Sequence, residues 1–142
     1  MDKLAPAPEP GPSSRPLRIL LADDNVDFTQ SVALLLEASG YLVAVHHDGA
    51  QALEHAPAFG PDLCFLDIGL PGLHGFELAR RLRALPATQD AILVALTGWG
   101  QPEDRQRSRE AGFDHHLAKP ADFAELERIL ATVAEKAALR LV

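Results

Sequence analysis

The sequence predicts an α/β fold, a doubly wound parallel sheet of five strands, each followed by a helix. Three observations predict it. Short apolar runs alternate five times with longer segments whose apolar residues recur at helical spacing. The runs LRILLA, LCFL and AILVAL are almost continuously apolar, as in parallel strands covered by helices on both faces. The connections are short and carry Asp, Gly and Pro at the junctions.

Residues Met1 to about Pro16 contain the stretch PAPEPGPSSRP, too rich in proline for a helix or an inner strand, and read as a flexible tail or linker. The folded domain is expected over residues 17–142. Leu17 to Ala22 is the first strand, stopped by Asp23-Asp24-Asn25. Phe28, Val32, Leu35 and Leu36 mark the inner face of the first helix, which Gly40 ends. Tyr41 to His46 is the second strand. Asp48 caps a helix carrying Ala52, Leu53 and Ala56, expected to end at Pro57 and Gly60.

Leu63 to Leu66 is the third strand, followed by Asp67 and a Gly-Leu-Pro-Gly turn. Leu78, Leu82 and Leu85 mark the third helix, and Ala91 to Leu96 the fourth strand, ending at Thr97. Pro102 to Ala111 is the fourth helix, with Pro in its first turn and Gly112 beyond its end. A short strand near Asp114 to Ala118 precedes Lys119-Pro120. Asp122 with Glu125 suggests a capping box opening the last helix, with Phe123, Leu126, Ile129, Leu130 and Val133 inward.

Composition narrows the function classes. The formal net charge is −7 and no basic stripe stands out, which argues against direct nucleic-acid binding. No apolar stretch approaches the length of a membrane span, and no basic-then-apolar leader opens the chain. The single cysteine, Cys64, excludes an intrachain disulfide and suits a reducing compartment, so a cytoplasmic location is expected.

In a parallel sheet, ligands bind at the carboxyl ends of the strands. Asp23 and Asp24 follow strand 1, Asp67 strand 3, Thr97 strand 4 and Lys119 strand 5, so the topology brings all five to one edge. Three neighbouring carboxylates repel unless a cation joins them, and Mg²⁺ is the hard ion that keeps waters and accepts phosphate oxygens. A carboxylate is also a nucleophile toward phosphorus. A lysine ammonium and a threonine hydroxyl complete a set coherent with phosphoryl transfer to an aspartate. Taken singly, each residue has a plain structural use, as helix cap, turn former or solvated lysine; their ordered recurrence at successive strand ends favours the chemical reading.

With Asp23-Asp24, FLDIGLPGLHG, ALTGWG and HLAKP in place at these separations, the chain resembles the receiver domains of two-component response regulators from about Leu17 to Leu139. The resemblance implies a flavodoxin-like (βα)5 sheet in strand order 2-1-3-4-5. It implies that Asp67 is the phosphoacceptor, and that Asp23, Asp24, Asp67 and the Gly69 backbone carbonyl hold Mg²⁺ (or Mn²⁺). Thr97 and Lys119 would bind the phosphoryl oxygens, and a cis Lys119–Pro120 peptide would aim the lysine. The implied donor is a histidine kinase or histidine phosphotransfer protein, and the domain has no separate substrate turnover.

Two positions depart from the commoner pattern. Gly69 stands where many relatives carry a larger side chain, with Trp99 two residues past Thr97; the two have opposed expected effects on phosphate lifetime. His116 occupies the place of an aromatic rotameric switch, alongside Thr97, and adds a protonation step near neutral pH.

Helix 4 lacks a large apolar residue, so it and strand 5 are expected to be the most mobile part of an output face formed by helix 4, strand 5 and helix 5. A downstream protein, or a homodimer formed on phosphorylation, would use that face. The stretch LTGWGQPEDRQRSREAGFDHHLAKP is similar to receivers fused to hybrid sensor kinases, so a stand-alone receiver and a receiver portion of a longer chain both fit. A non-phosphorylated pseudo-receiver acting as a protein-binding module is the alternative. A phosphatase would need an acid at position 69, and a flavodoxin a Thr/Ser/Gly-rich first loop. Neither His46-His47 nor His115-His116 chelates a metal readily, because strand neighbours point to opposite faces.

Overall fold

The computed structural model describes residues 15–98, 104–119 and 122–140. Five strands and five helices alternate: β1 (Arg18–Ala22), α1 (Val26–Ala38), β2 (Leu42–His46), α2 (Gly49–Phe59), β3 (Leu63–Asp67), α3 (Gly75–Ala84), β4 (Ile92–Thr97), α4 (Asp104–Ala111), β5 (His115–Ala118) and α5 (Phe123–Arg140). All pairings are parallel, and the sheet order is β2-β1-β3-β4-β5, as the resemblance implied.

Alternation along the strands splits the core in two. Leu20, Ala22, Cys64, Leu66, Leu93 and Ala95 face α2, α3 and α4, meeting Ala52, Ala56, Phe76, Leu78, Ala79, Leu82 and Ala111. Ile19, Leu21, Leu63, Phe65, Ile92, Val94, Leu96 and Leu117 face α1 and α5, meeting Val32, Leu36, Leu126, Ile129, Leu130 and Val133. Each large side chain so buried contributes about 1.5–3 kcal/mol. Every residue of β3 is buried, which explains its unbroken apolar run. Burial pushes the Cys64 thiol, wholly enclosed in that strand, up to about 12.

Several expectations are corrected. Leu35 is 48% exposed; the inner face of α1 is Thr29, Val32 and Leu36, with Phe28 partly buried against the same core, because Leu35 lies about 100° round the helix from Leu36, off the stripe that Thr29, Val32 and Leu36 share. Pro57 does not end α2 but lies in its last turn, where the missing N–H forfeits one bond to the preceding turn. Gly60 ends the helix in the left-handed region, its N–H donating to the Ala56 carbonyl. The Asp122 side chain accepts from the Ala124 N–H, while Glu125 pairs with Arg128, so the reciprocal capping box does not form. The N-terminal part of the predicted fourth helix, Pro102 and Glu103, lies outside the described residues, as do residues 1–14 of the predicted tail.

The Arg83 guanidinium, on the last turn of α3, ties the lower half of the molecule together. It donates to the carbonyls of Gly112, Gln89 and Ala91 and to the Asp114 carboxylate at 2.6–3.0 Å. Asp114 in turn accepts from the Leu93 N–H at 2.9 Å. One side chain thereby fixes the entrance of β4 and the turn between α4 and β5.

Candidate functional site

The sheet brings the predicted residues to one edge. Ala22 pairs with His46 on one side and Leu66 on the other, and Thr97 pairs with Ala118, so Asp23, Asp67, Thr97 and Lys119 stand level at the strand ends. Asp23 is fully buried. Its Oδ1 accepts from the Asn25 N–H at 2.9 Å, and its backbone N–H donates to the His46 carbonyl at 3.1 Å. Asn25, rather than either aspartate, caps α1, its side chain accepting from the Phe28 N–H at 3.0 Å. Both aspartates are thus free of the capping role.

Asp67 ends β3 and is 9% exposed; its Oδ1 accepts from the Gly69 N–H at 3.0 Å. Ligand oxygens of Asp23, Asp24 and Asp67 all lie within 4.8 Å of one another. At an effective dielectric near 20, full charges that far apart repel by roughly 3–4 kcal/mol per pair. The Lys119 ammonium answers part of this, 2.6 Å from Asp23 Oδ2 and 3.3 Å from Asp67 Oδ2, with the Phe28 ring 5.9 Å away. Burial is the largest single influence on the lysine and lowers its pKa, but the contacts with Asp23 and then Asp67 outweigh it. The net result is a pKa above the ordinary lysine range.

The donor set fits a hard divalent cation. Asp23 Oδ2 is buried and, apart from the lysine ion pair, lacks a hydrogen-bond partner among the described residues. An oxygen-only cluster of this kind suits Mg²⁺ or Mn²⁺ rather than a softer ion. The Thr97 hydroxyl donates to the Leu117 carbonyl at 3.4 Å, while the Lys119 N–H donates to the Thr97 carbonyl at 2.8 Å. His116 is half-buried on the α4 side of β5, with its Nε2 buried and unpartnered among the described residues. Burial first, then the charges of Arg105 and Arg109 and the neighbouring His115, lower its pKa. Trp99 and Pro120, and with Pro120 the expected cis peptide, lie outside the described residues.

Residue patterning did not single out the floor of the site. The Gly75 N–H donates to the Ile68 carbonyl at 3.0 Å, so α3 starts directly beneath the peptide following Asp67. A Cβ on Gly75 would overlap the Ile68 Cα and come within 2.8 Å of the Asp67 carbonyl oxygen. Gly49, at the start of α2, is pressed against Leu73 in the same way. At Gly69, by contrast, a Cβ would sit 3.7 Å from Asp67 Oδ1, in ordinary contact. The predicted absence of a guiding side chain there is therefore a matter of sequence, not of space.

A family model described as the response regulator receiver domain matches residues 19–131. The chain belongs to this family. The receiver is 37% identical over 109 residues to the transcriptional regulator RpaA of Synechocystis, covering 77% of this chain and 45% of RpaA. It is 36% identical over 112 residues to a 14.6 kDa protein from the sodA1 3′ region of Leptolyngbya boryana, covering 79% of this chain and 86% of that protein. It is also 35% identical over 108 residues to a gliding motility regulatory protein of Myxococcus xanthus, covering 76% of this chain but only 14% of that protein. The receiver thus spans less than half of two of these three relatives.

Among solved structures, a response regulator from Chloroflexus aurantiacus superposes with a TM-score of 0.77 at 30% identity, covering 84% of this chain and 98% of that one. The receiver domain of the sensor histidine kinase PA1611 of Pseudomonas aeruginosa superposes with a TM-score of 0.73 at 34% identity, covering 82% and 95%. That domain was solved with a magnesium ion coordinated in its active site cleft. The receiver is a signalling module of two-component systems.

Proposed function

We propose that this receiver is a phosphorylation-dependent switch that takes a phosphoryl group from a phosphohistidine onto Asp67. The donor is a histidine kinase or a histidine phosphotransfer protein. The observation that carries this reading is the convergence of Asp23, Asp24 and Asp67 on one point, with Lys119 bridging two of them. Asp23, Asp24, Asp67 and the Gly69 carbonyl would hold Mg²⁺, which when bound would supply positive charge offsetting that of the transferring group.

The chain's own residues do the rest. An Asp67 carboxylate oxygen attacks phosphorus as the P–N bond to the donor imidazole breaks; the imidazole leaves with its electron pair and is reprotonated. Lys119 leaves Asp23 for a phosphoryl oxygen. Thr97 exchanges its long bond to the Leu117 carbonyl for another phosphoryl oxygen. That exchange frees β5, and His116 on the same strand passes the change to α4. The face made by α4, β5 and α5 meets the downstream protein or a second copy of the chain.

The group stays on the domain itself until hydrolysis, so there is no separate substrate turnover. No helix among the described residues is long and apolar enough to cross a membrane.

The test is intact mass after incubation with acetyl phosphate and Mg²⁺, alongside Asp67→Asn and a sample without metal. A labile phosphoryl adduct absent from both controls is expected. No adduct, together with no transfer from phosphohistidine donors, would reject the reading and favour a pseudo-receiver that works as a constitutive binding module.

A further inference from the structure

The contacts around Lys119 close a loop that runs through the first turn of α1. Asp23 Oδ1 accepts from the Asn25 N–H at 2.9 Å, and Asn25 Oδ1 accepts from the Phe28 N–H at 3.0 Å. The Lys119 ammonium lies over the Phe28 ring, 5.9 Å from its centroid, and returns to Asp23 through Oδ2 at 2.6 Å. Each carboxylate oxygen of Asp23 thus anchors one end of the loop. Phe28 brings no polar side-chain atom to it, and the chemistry assigned to the site makes no use of the ring.

Local sequence puts the ring there. Asn25 caps α1, so Phe28 falls in the first turn of the helix, where a long side chain leans back over the turn before it. Phe28 is partly buried against the core shared with α1 and α5, and the Lys119 side chain is only 28% exposed. A cation within about 6 Å of a ring centroid is drawn to the π face, more strongly as water is excluded. Unlike a hydrogen bond, that attraction changes slowly with position. It keeps the ammonium in the cluster while letting it slide from Asp23 Oδ2 toward Asp67 Oδ2, 3.3 Å away.

We propose that Phe28 is a positioning residue for Lys119, holding its ammonium over the acidic cluster so that it faces Asp23 at rest and a phosphoryl group on loading. This rests on the reading of Asp67 as the phosphoacceptor.

An aliphatic side chain occupies the same space without a π face. Phe28→Leu therefore frees the lysine without emptying the core, and Phe28→Tyr keeps the ring. Two effects of opposite sign follow from a freed lysine. It competes less for Asp23, so Mg²⁺ binds more tightly. It is also less often in place for the phosphoryl oxygens, so loading slows. General damage to the site would instead weaken both.

The experiment compares the full chain with Phe28→Leu and Phe28→Tyr in three readouts. These are the Lys119 side-chain NMR shifts without metal, Mg²⁺ affinity by calorimetry, and the rate of phosphorylation by acetyl phosphate at saturating Mg²⁺. The Lys119 Cε protons are expected to be shifted upfield by the ring in the wild type and in Phe28→Tyr, and to lose that shift in Phe28→Leu. Phe28→Leu should bind Mg²⁺ about two- to fivefold more tightly and load about two- to fivefold more slowly, the size of one partly exposed cation–π contact, with Phe28→Tyr close to wild type in both. Unchanged Lys119 shifts in Phe28→Leu, Mg²⁺ affinity that does not rise, a loading rate that does not fall, or no rescue by tyrosine overturns the proposal and leaves Phe28 as core packing. A wild-type chain that takes no phosphoryl group rejects the phosphoacceptor reading instead, and the first two readouts still decide the link between ring and lysine.

Discussion

Lys119 stands closer to Asp23 than to Asp67: its ammonium is 2.6 Å from the buried Oδ2 of the first and 3.3 Å from Oδ2 of the second. In this state the lysine occupies the side of the cluster that a cation would take. On the proposed reading, lysine and Mg²⁺ would compete for Asp23 Oδ2. Lys119→Met is expected to raise Mg²⁺ affinity severalfold, read by calorimetry. The same substitution is expected to slow phosphorylation from acetyl phosphate by about tenfold or more, because a charge-assisted contact to the phosphoryl oxygens is gone. Weaker Mg²⁺ binding in the variant would contradict the competition.

His116 makes stability depend on pH with a definite sign. Its folded pKa lies below the ordinary 6.5 because of burial first and then Arg105, Arg109 and His115. As pH falls, the unfolded chain takes up the proton before the folded one does. The His116 contribution is therefore complete above pH 6.5 and is lost as pH drops from there through the lowered folded value. Urea midpoints measured at several pH values should fall more steeply for the wild type than for His116→Phe across that window. Parallel slopes would show that His116 is not the group responsible.

Gly75 is required by close approach, not by backbone conformation. Gly75→Ala should cost about 1–3 kcal/mol, since the new methyl meets the Ile68 backbone, which cannot yield like a flexible side chain. Gly98→Ala, where a Cβ meets nothing within 4 Å among the described residues, should fall within about 0.5 kcal/mol of the wild type. Equal chemical denaturation midpoints for the two variants would refute the argument.

Arg83 serves five acceptor contacts with one planar fork. Arg83→Met strands the carbonyls of Ala91 and Gly112 and should cost about 2–4 kcal/mol. Arg83→Lys should recover little, because an ammonium on a flexible stem cannot span both carbonyls and Asp114. Hydrogen exchange at Phe113, Asp114 and Leu93 should accelerate in both variants; full rescue by lysine would show that charge alone suffices.

The strand-end residues were legible because parallel topology converts order along the chain into position in space. Once β1, β3, β4 and β5 were recognised, Asp23, Asp67, Thr97 and Lys119 had to share an edge. Leu35 misled because it adjoins Leu36 in sequence but lies about 100° round the helix from it, whereas the stripe under α1 takes in Thr29 with its hydroxyl bonded to the Val26 carbonyl. Pro57 misled because a helix tolerates one missing bond in its last turn. Gly75, Arg83 and the Phe28–Lys119 contact are invisible to periodicity: each depends on how close two elements approach, and nothing local encodes that distance.

The lone thiol of Cys64 gives the molecule a built-in reporter. It lies in the central strand three residues before Asp67, with no exposed surface and a pKa near 12, so in the closed sheet it is neither reachable nor ionised. A thiol-modifying reagent therefore labels the chain only while the sheet is parted, at a rate that rises with the open population. Comparing that rate before and after phosphoryl loading measures, without any added probe, whether the signal stays at the rim or loosens the middle of the domain.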